Sequence, residues 1–401
     1  MAVTSIPEVL TRGVAEVLPS VQTLADLMQQ RKIKLYLGID PTGSLLTLGH
    51  SVVLRKLQQF AELGHEVVLL IGNGTVRIGD PTGRDTTRPV LTDDVIEDNF
   101  KSWKEQASRI LDFDKITIEH NGDWLDKLSY ADLIKLMAQT TVQQLMERDM
   151  FQERLKVGAP IFGHEIMYPL MQGYDSVAMN VDLEIGGTDQ TFNMMMGRHL
   201  QQTYNQHEKW VLTTPIINGT DGRKMSKSYG NFVALTEAPN DMYGKLMSIA
   251  DNMIMEYFTL LTDETLDAIS QMREAIAKGE NPMTFKKKLA FTITEMYHSH
   301  EEAEQAQIHF QQTVQHRSAP EVMPNVKLPT TPITLLDLIV LAKPELSKSE
   351  ARRLVEQGAV EHNEEKVIDP TAILTFKTGD IIKVGKRWYA TLIAWRKKRV
   401  K

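Results

Sequence analysis

The chain has 401 residues, 42% of them hydrophobic and 24% charged, with no cysteine and a formal net charge of −7. That is ordinary composition for a globular protein of two or three domains, and it excludes disulfides and thiolate metal sites. No stretch approaches the roughly 20 apolar residues that span a bilayer. The charge is uneven. Residues 333–401 carry 14 Lys+Arg against 9 Asp+Glu, so +5, which leaves −12 on the remainder. A basic tail on an acidic body suggests that one end meets a polyanion, although on charge alone a solvated basic surface reads equally well. The first twenty residues lack the basic-then-apolar order of a signal peptide, so a cytoplasmic location is expected. The eleven histidines show no metal-ligand spacing, and no protein metal site is expected.

In chain order, Leu35-Tyr36-Leu37-Gly38-Ile39 is a short apolar strand, and Pro41, Gly43 and Gly49 punctuate the turn after it. Val53, Leu54, Leu57, Phe60 and Ala61 then recur at helical spacing up to Gly64, and residues 66–72 (EVVLLIG) read as a buried strand. This βαβ unit implies a parallel sheet. Residues 93–156 are mostly helical in pattern, and Leu183-Glu184-Ile185-Gly186-Gly187 reads as another strand ending in a glycine turn. Residues 240–315 are again helix-rich, with a break at Asn281-Pro282. Pro320, Pro324, Pro329 and Pro332 make 317–332 a stiff, extended linker. The expected organisation is an α/β parallel-sheet domain with a helical insertion over 1–236, a helical domain over 237–316, the linker, and a small α+β domain over 333–401.

Three local groupings carry chemistry. The turn at 40–50 places backbone amides and a helix N-terminus at the carboxyl edge of the sheet, where anions bind. Within it Gly49 lets a flat base approach the backbone, and His50 can donate to a ribose or phosphate oxygen. A lone histidine beside a glycine is more often a cap or a packed side chain. The second grouping, Gly222-Arg223-Lys224-Met225-Ser226-Lys227-Ser228, packs three cations and two hydroxyls into a glycine-led loop. Two lysines three residues apart can both reach a triphosphate, while the bland alternative is a solvated loop. In the third, Tyr168, Gln172 and Asp175 stand at i, i+4 and i+7 on one helix face, flanked by apolar and small residues. Such a face is either an exposed polar stripe or the wall of a pocket.

Residues 224–228 match in full the KMSKS motif of class I aminoacyl-tRNA synthetases, and Thr47-Leu48-Gly49-His50 occupies the place of that class's HIGH motif. Together with the 168–175 segment they make the chain resemble the tyrosyl branch of the class. The resemblance implies a Rossmann-like catalytic domain, with ATP and its Mg2+ as cofactors and L-tyrosine and tRNA(Tyr) as partners. It assigns Thr42, Thr47, His50, Lys224 and Lys227 to catalysis. Tyr36 and Asp175 are implied to bind the substrate phenol, and Tyr168, Gln172 and Asp80 its α-ammonium, with Gln190 facing the reacting carboxylate. ATP is implied to lie on Gly38, Asp40, Gly49, His50, Gly187 and Asp189, and on Lys224, Met225, Lys227 and Ser228 of the loop. The sequence departs from the pattern at Thr47, where the family has histidine, so weaker stabilisation of pyrophosphate is expected there. Asn73 and Arg77 also replace small or apolar residues, and Arg77 either pairs with Asp80 or faces outward.

Near the C-terminus, Ser347-Lys348-Ser349-Glu350 opens a helix as a capping box. Lys348 and Arg352 share a face at i, i+4 with Arg353 beside them, 360–368 can form a hairpin turning at Asn363-Glu364, and 381–384 reads as a strand. The order resembles the S4 RNA-binding domain, which implies RNA contacts at Lys348, Arg352 and Arg353. The family further implies a homodimer, with helices after residue 120 near the interface, and no membrane attachment. Two rival readings are a tryptophanyl-type enzyme, which the Gln172/Tyr174/Asp175 pattern and the tail disfavour, and a catalytically silent RNA-binding paralogue, motivated by Thr47.

Overall fold

A computed structural model describes residues 5–82, 92–315, 323–328, 333–363, 365–372, 376–385 and 388–394. The chain forms two compact units, Met1–Ala303 and Glu304–Lys401. The first is built on a six-stranded sheet of β1 (Glu16–Leu18), β2 (Lys34–Ile39), β3 (Glu66–Ile71), β4 (Ile116–His120), β5 (Leu183–Gly187) and β6 (Trp210–Thr214). The spatial order is β1-β6-β5-β2-β3-β4, and every pair is parallel except β1 with β6. Strand β3 is an apolar run because it is buried on both faces, as central strands of parallel sheets are. From β2 the chain moves outward to β3 and β4, then returns to the other side of β2 for β5 and β6. The carboxyl ends of β2 and β5 therefore flank the crevice where the strand order reverses, the place at which such sheets bind ligands.

The helix α1 (Leu48–Glu62) follows β2 as the spacing predicts, but it is covered on its polar side as well. Lys56 donates to the Val9 and Arg12 carbonyls, and Arg55 pairs with Asp263. Arg12 in turn donates to the Thr262 carbonyl at 2.7 Å. The helices Pro239–Leu246, Ile254–Leu261 and Pro282–Tyr297 lie in this same unit. Helices α3 (Tyr168–Met179) and α4 (Thr191–Asn205) cross closely: a Cβ on Gly173 would stand 2.9 Å from Leu200 Cδ1 and 3.1 Å from the Gly197 amide. Only glycine fits there, and the fit carries Gln172 and Asp175 to the crevice.

The turn at 40–50 is pinned from both sides. The helix α2 (Asp93–Ala107) holds it through Gln106, which accepts from Leu46 N at 2.8 Å and donates to Ser44 O at 2.7 Å. Asn99 donates to Pro41 O, and the Trp103 indole to Gly43 O. On the other side Leu48 N donates to Val233 O and Leu235 N to Leu46 O.

The second unit is a five-stranded sheet in the order β7-β11-β10-β8-β9, comprising β7 (Asn325–Leu328), β8 (Val360–His362), β9 (Glu365–Lys366), β10 (Ile381–Val384) and β11 (Trp388–Ala394). Its pairs are antiparallel except β7 with β11. Leu335, Leu338, Ile339, Ala351, Val355, Val360, Ile382 and Leu392 form its core, contributed in part by α5 (Leu335–Ala342) and α6 (Lys348–Glu356). The capping box of Ser347 with Glu350, the hairpin and the strand at 381–384 stand where expected. Asn363 turns the hairpin at φ 48°, and Glu364 lies outside the described residues. The segment 317–332 differs from the extended linker read from its prolines, because β7 lies within it. Val326 and Leu328 alternate with Asn325 and Lys327, so one face is buried and the segment pairs as a strand. Pro324 flanks this strand and does not interrupt it, while Pro320, Pro329 and Pro332 fall outside the described residues.

Gln106 is buried, and replacing it by leucine leaves the Leu46 amide without its acceptor. Gln106→Leu is expected to lower unfolding free energy by about 1–3 kcal/mol, read from urea melts. A melt superimposable on the parent's would show that the turn is held by other means.

Candidate active site

At the strand-order reversal lies a cavity of about 290 Å³. Its floor is Leu37, Gly38 and Ile39 of β2, with Gly186 and Gly187 of β5. Its polar wall brings together Asp40, Thr42 and His50 from the first turn, Asp80, Tyr168, Gln172 and Asp175 from the middle of the chain, and Asp189 and Gln190 after β5.

Each wall carboxylate is held by groups from distant segments. Asp40 accepts from the Thr75 hydroxyl at 2.8 Å and from the Tyr168 phenol at 2.9 Å. A Cβ on Gly72 would stand 2.0 Å from Asp40 Oδ1, so glycine is required beside it. Asp80 accepts from the Gln190 amide at 2.8 Å, and from the Thr82 amide and hydroxyl. Asp175 is buried and accepts from Trp124 Nε1 at 2.8 Å and Asn121 Nδ2 at 3.2 Å. Burial pushes its carboxyl well above the usual carboxylate range, opposed by those two hydrogen bonds.

His50 receives the Thr47 backbone N–H on Nδ1 at 3.1 Å, and the Thr47 hydroxyl lies 2.8 Å from the same nitrogen. An Nδ1 that accepts carries no proton, so the neutral ring has its proton on Nε2 and is a donor there. Burial, and then the Lys227 charge, push the imidazole down to about 4, which keeps it neutral. Lys224 Nζ lies 3.1 Å from Asp189 Oδ2. Lys227 Nζ lies 3.6 Å from where a Cβ on Gly43 would be, and burial lowers its pKa. The lysine loop thus stands against residues of both edges of the cavity. Its shape is set by the buried Asn231, which accepts from Ser226 N at 2.8 Å and donates to Asp221 and to the Lys224 carbonyl.

Of the residues singled out from sequence, Gly38, Asp40, Thr42, His50, Asp80, Tyr168, Gln172, Asp175, Gly187, Asp189 and Gln190 meet on this wall or floor. Tyr36 is fully buried and is not among the lining residues. It shares the Gly38 side of the strand, with Cε2 3.7 Å from a Cβ built on Gly38, and its hydroxyl lies 3.0 Å from Ser176 Oγ. Thr47 is buried against His50 and is not on the wall. Gly49 is overlaid by Met225, whose Sδ is 3.7 Å from a Cβ built there. Ser228 is exposed and donates through its amide to Ser226 Oγ. Arg77 pairs with Asp126 at 2.8 Å, and Asn73 accepts from Gly122 N. In the second unit Arg352 and Arg353 are exposed on α6, and Lys348 pairs with Asp337. Sequence reasoning missed Thr75, Trp103, Asn121 and Glu184 on the wall. Only Glu184 left a signal, a charge within an otherwise apolar central strand.

The sequence matches the family described as tRNA synthetases class I (W and Y) over residues 28–315. It matches the Tyrosine--tRNA ligase SYY-like C-terminal domain over residues 315–392. It is 44% identical over 390 residues to a tyrosine–tRNA ligase of Moorella thermoacetica, covering 96% of this chain and 94% of that protein. It is also 44% identical over 382 residues to one of Thermotoga maritima, covering 95% of each. Among solved structures it resembles a C-terminally truncated mitochondrial tyrosyl-tRNA synthetase of Aspergillus nidulans, with TM-score 0.64 and 22% identity over 78% of this chain and 94% of that one. The tyrosyl-tRNA synthetase of Archaeoglobus fulgidus complexed with L-tyrosine gives TM-score 0.60 and 20% identity over 76% and 100%. At such identities the likeness is one of fold.

The depressed His50 pKa means that its contribution to stability is complete above the ordinary value of 6.5 and is lost as pH falls toward about 4. Nitrogen-15 NMR is expected to show an unprotonated Nδ1 at pH 7 and a titration midpoint near 4. A midpoint near 6.5 would show that the imidazole is not desolvated by its surroundings or lowered by the Lys227 charge.

Proposed function

The chain belongs to the class I tRNA synthetases of the tryptophan and tyrosine type and joins tyrosine to its tRNA with ATP, and on that premise we propose how its residues divide the work. Tyrosine lies in the cavity with its phenol toward Asp175 and Tyr36 and its ammonium toward Tyr168, Gln172 and Asp80. Gln190 faces the carboxylate. The ATP ribose rests on Gly187 and Asp189, its base reaches the Gly38 and Gly49 backbone beside Asp40 and under Met225, and its phosphates meet Thr42, His50 and the lysine loop. The observation that carries this reading is the convergence, on one cavity wall, of polar residues drawn from four separated segments.

In the first step a tyrosine carboxylate oxygen attacks the α-phosphorus. The new P–O bond forms as the bond to pyrophosphate breaks, and negative charge moves onto the leaving group. No enzyme nucleophile is needed, and the protein supplies alignment and charge stabilisation. His50 Nε2–H donates to a phosphate oxygen without carrying a charge that would retain pyrophosphate. Lys224 and Lys227, with the Ser228 hydroxyl, neutralise the leaving pyrophosphate. Thr47 acts on this step through His50, so its hydroxyl reaches the phosphates only indirectly. In the second step the terminal ribose hydroxyl of the tRNA attacks the adenylate carbonyl and AMP leaves. Magnesium belongs to the nucleotide and enters with the triphosphate.

Residues 333–401 are proposed to bind tRNA in the manner of an S4 domain, with Lys348, Arg352 and Arg353 of α6 toward phosphates. A homodimer is proposed as well, on the apolar surface left exposed by Tyr130, Ile134, Met137 and Val142. No described helix is long and apolar enough to cross a membrane, and a cytoplasmic location is proposed.

ATP–pyrophosphate exchange is expected with tyrosine and not with tryptophan. Exchange with tryptophan alone would move the chain to the other branch, and none with either would leave it a silent RNA binder. A site that hydrogen-bonds a hydroxyl rejects the analogue lacking it, a behaviour for which tyrosine ligases are themselves the standard example. Asp175→Asn is expected to raise KM for tyrosine about tenfold or more and to erode rejection of phenylalanine. An unchanged tyrosine-to-phenylalanine ratio would take Asp175 away from the phenol.

A further inference from the structure

Glu184, on the cavity wall, forms with Lys209 a charged pair that the chemistry above does not use. Glu184 on β5 and Lys209 are almost fully buried, at 1% and 0% exposed. Lys209 Nζ donates to Glu184 Oε2, to Ser176 Oγ at 2.7 Å and to the Met194 carbonyl at 3.2 Å, which uses all three of its N–H groups. Glu184 Oε1 accepts from Gln172 Nε2 at 3.0 Å. Gln172 Oε1 is buried and has no hydrogen-bond partner. A buried ion pair contributes little stability that an apolar pair of the same volume would not, so its presence asks for another reason.

We propose that Glu184 and Lys209 are positioning residues that lock the Gln172 amide with its oxygen as the acceptor for the substrate ammonium. An ionised carboxylate only accepts, so the amide must turn its NH2 toward Glu184 and its oxygen away. Lys209 donates to one oxygen of that carboxylate and Gln172 to the other, so both oxygens stand as acceptors. An uncharged residue at 184 with both donor and acceptor, such as glutamine, satisfies the amide in either orientation and loses the lock. Both Glu184 oxygens are already engaged, so it acts through Gln172. The same lysine holds Ser176, whose Oγ meets the Tyr36 hydroxyl, so one cation organises both ends of the cavity. This inference rests on reading Gln172 as an ammonium acceptor of the tyrosine site.

The test uses full-length enzyme and ATP–pyrophosphate exchange with two competitive probes: tyramine, which has the ammonium but no carboxylate, and 3-(4-hydroxyphenyl)propionate, which lacks the ammonium. In Glu184→Gln, KM for tyrosine is expected to rise and the preference for tyramine to fall, each by about tenfold, while KM for ATP moves by less than about twofold. Glu184→Asp keeps a carboxylate and is expected to keep the preference. The double variant Glu184→Gln with Lys209→Met leaves no lone buried charge, and is expected to lose the preference while folding. Equal weakening of both probes in the charge-neutral variants would make the pair merely structural and overturn the proposal. Retention of the tyramine preference in Gln172→Ala would instead remove Gln172 from the ammonium, which is failure of the underlying reading. Loss of it in Gln172→Ala but not in the Glu184 variants would overturn the positioning role alone.

Discussion

Asp40 stands at the end of β2 with one oxygen on the Thr75 hydroxyl and the other on the Tyr168 phenol. That one carboxylate ties the first βα turn, the loop after β3 and the helix carrying Gln172 and Asp175, segments up to 128 residues apart. The cavity depends on it, because a polar wall between two strand ends keeps its shape only if each buried polar group has a partner from another element. The constraint propagates. Asp40 leaves no room for a side chain at Gly72, and Gln190 and Thr82 hold Asp80 in the same manner. Preorganised in this way, the wall needs little rearrangement when charge moves during the reaction.

The cavity wall carries the carboxylates of Asp40, Asp80, Asp175 and Asp189, and the lysine loop brings cations against it. His50 is neutral and its donor is directed by Thr47. Lys224 already faces a carboxylate, Asp189, so an anion that reaches it exchanges one anionic partner for another. Desolvation lowers the pKa of the Lys227 amine, and an approaching anion restores its preference for the charged form.

Much of this was legible in the sequence, for a physical reason. The turn at 40–50, the loop at 222–228 and the face of Tyr168, Gln172 and Asp175 are local patterns whose geometry follows from strand, turn and helix spacing. The supports were not legible, because they are tertiary. Nothing near Gln106, Asn231 or Lys209 announces that they hold the first turn, the lysine loop and the amide of Gln172. Strand β7 was hidden by the prolines around it, though its alternation of Val326 and Leu328 with polar neighbours was visible. Tyr36 was singled out by resemblance, but its hydroxyl's contact with Ser176, between residues 140 apart, was not legible.

Thr47 shows why a motif departure is better judged from geometry than from residue type. Read in sequence, threonine in the place of histidine keeps a hydroxyl donor but loses the imidazole and its possible charge. In the fold, its backbone amide and hydroxyl both face His50 Nδ1, and the first turn of α1 is capped by this reciprocal pair. The backbone amide at position 47 therefore fixes which nitrogen of His50 is the donor, and the threonine hydroxyl adds a second contact to the accepting nitrogen. What threonine changes is the side chain over His50, while the contact that orients the imidazole belongs to the backbone and survives the departure from the motif.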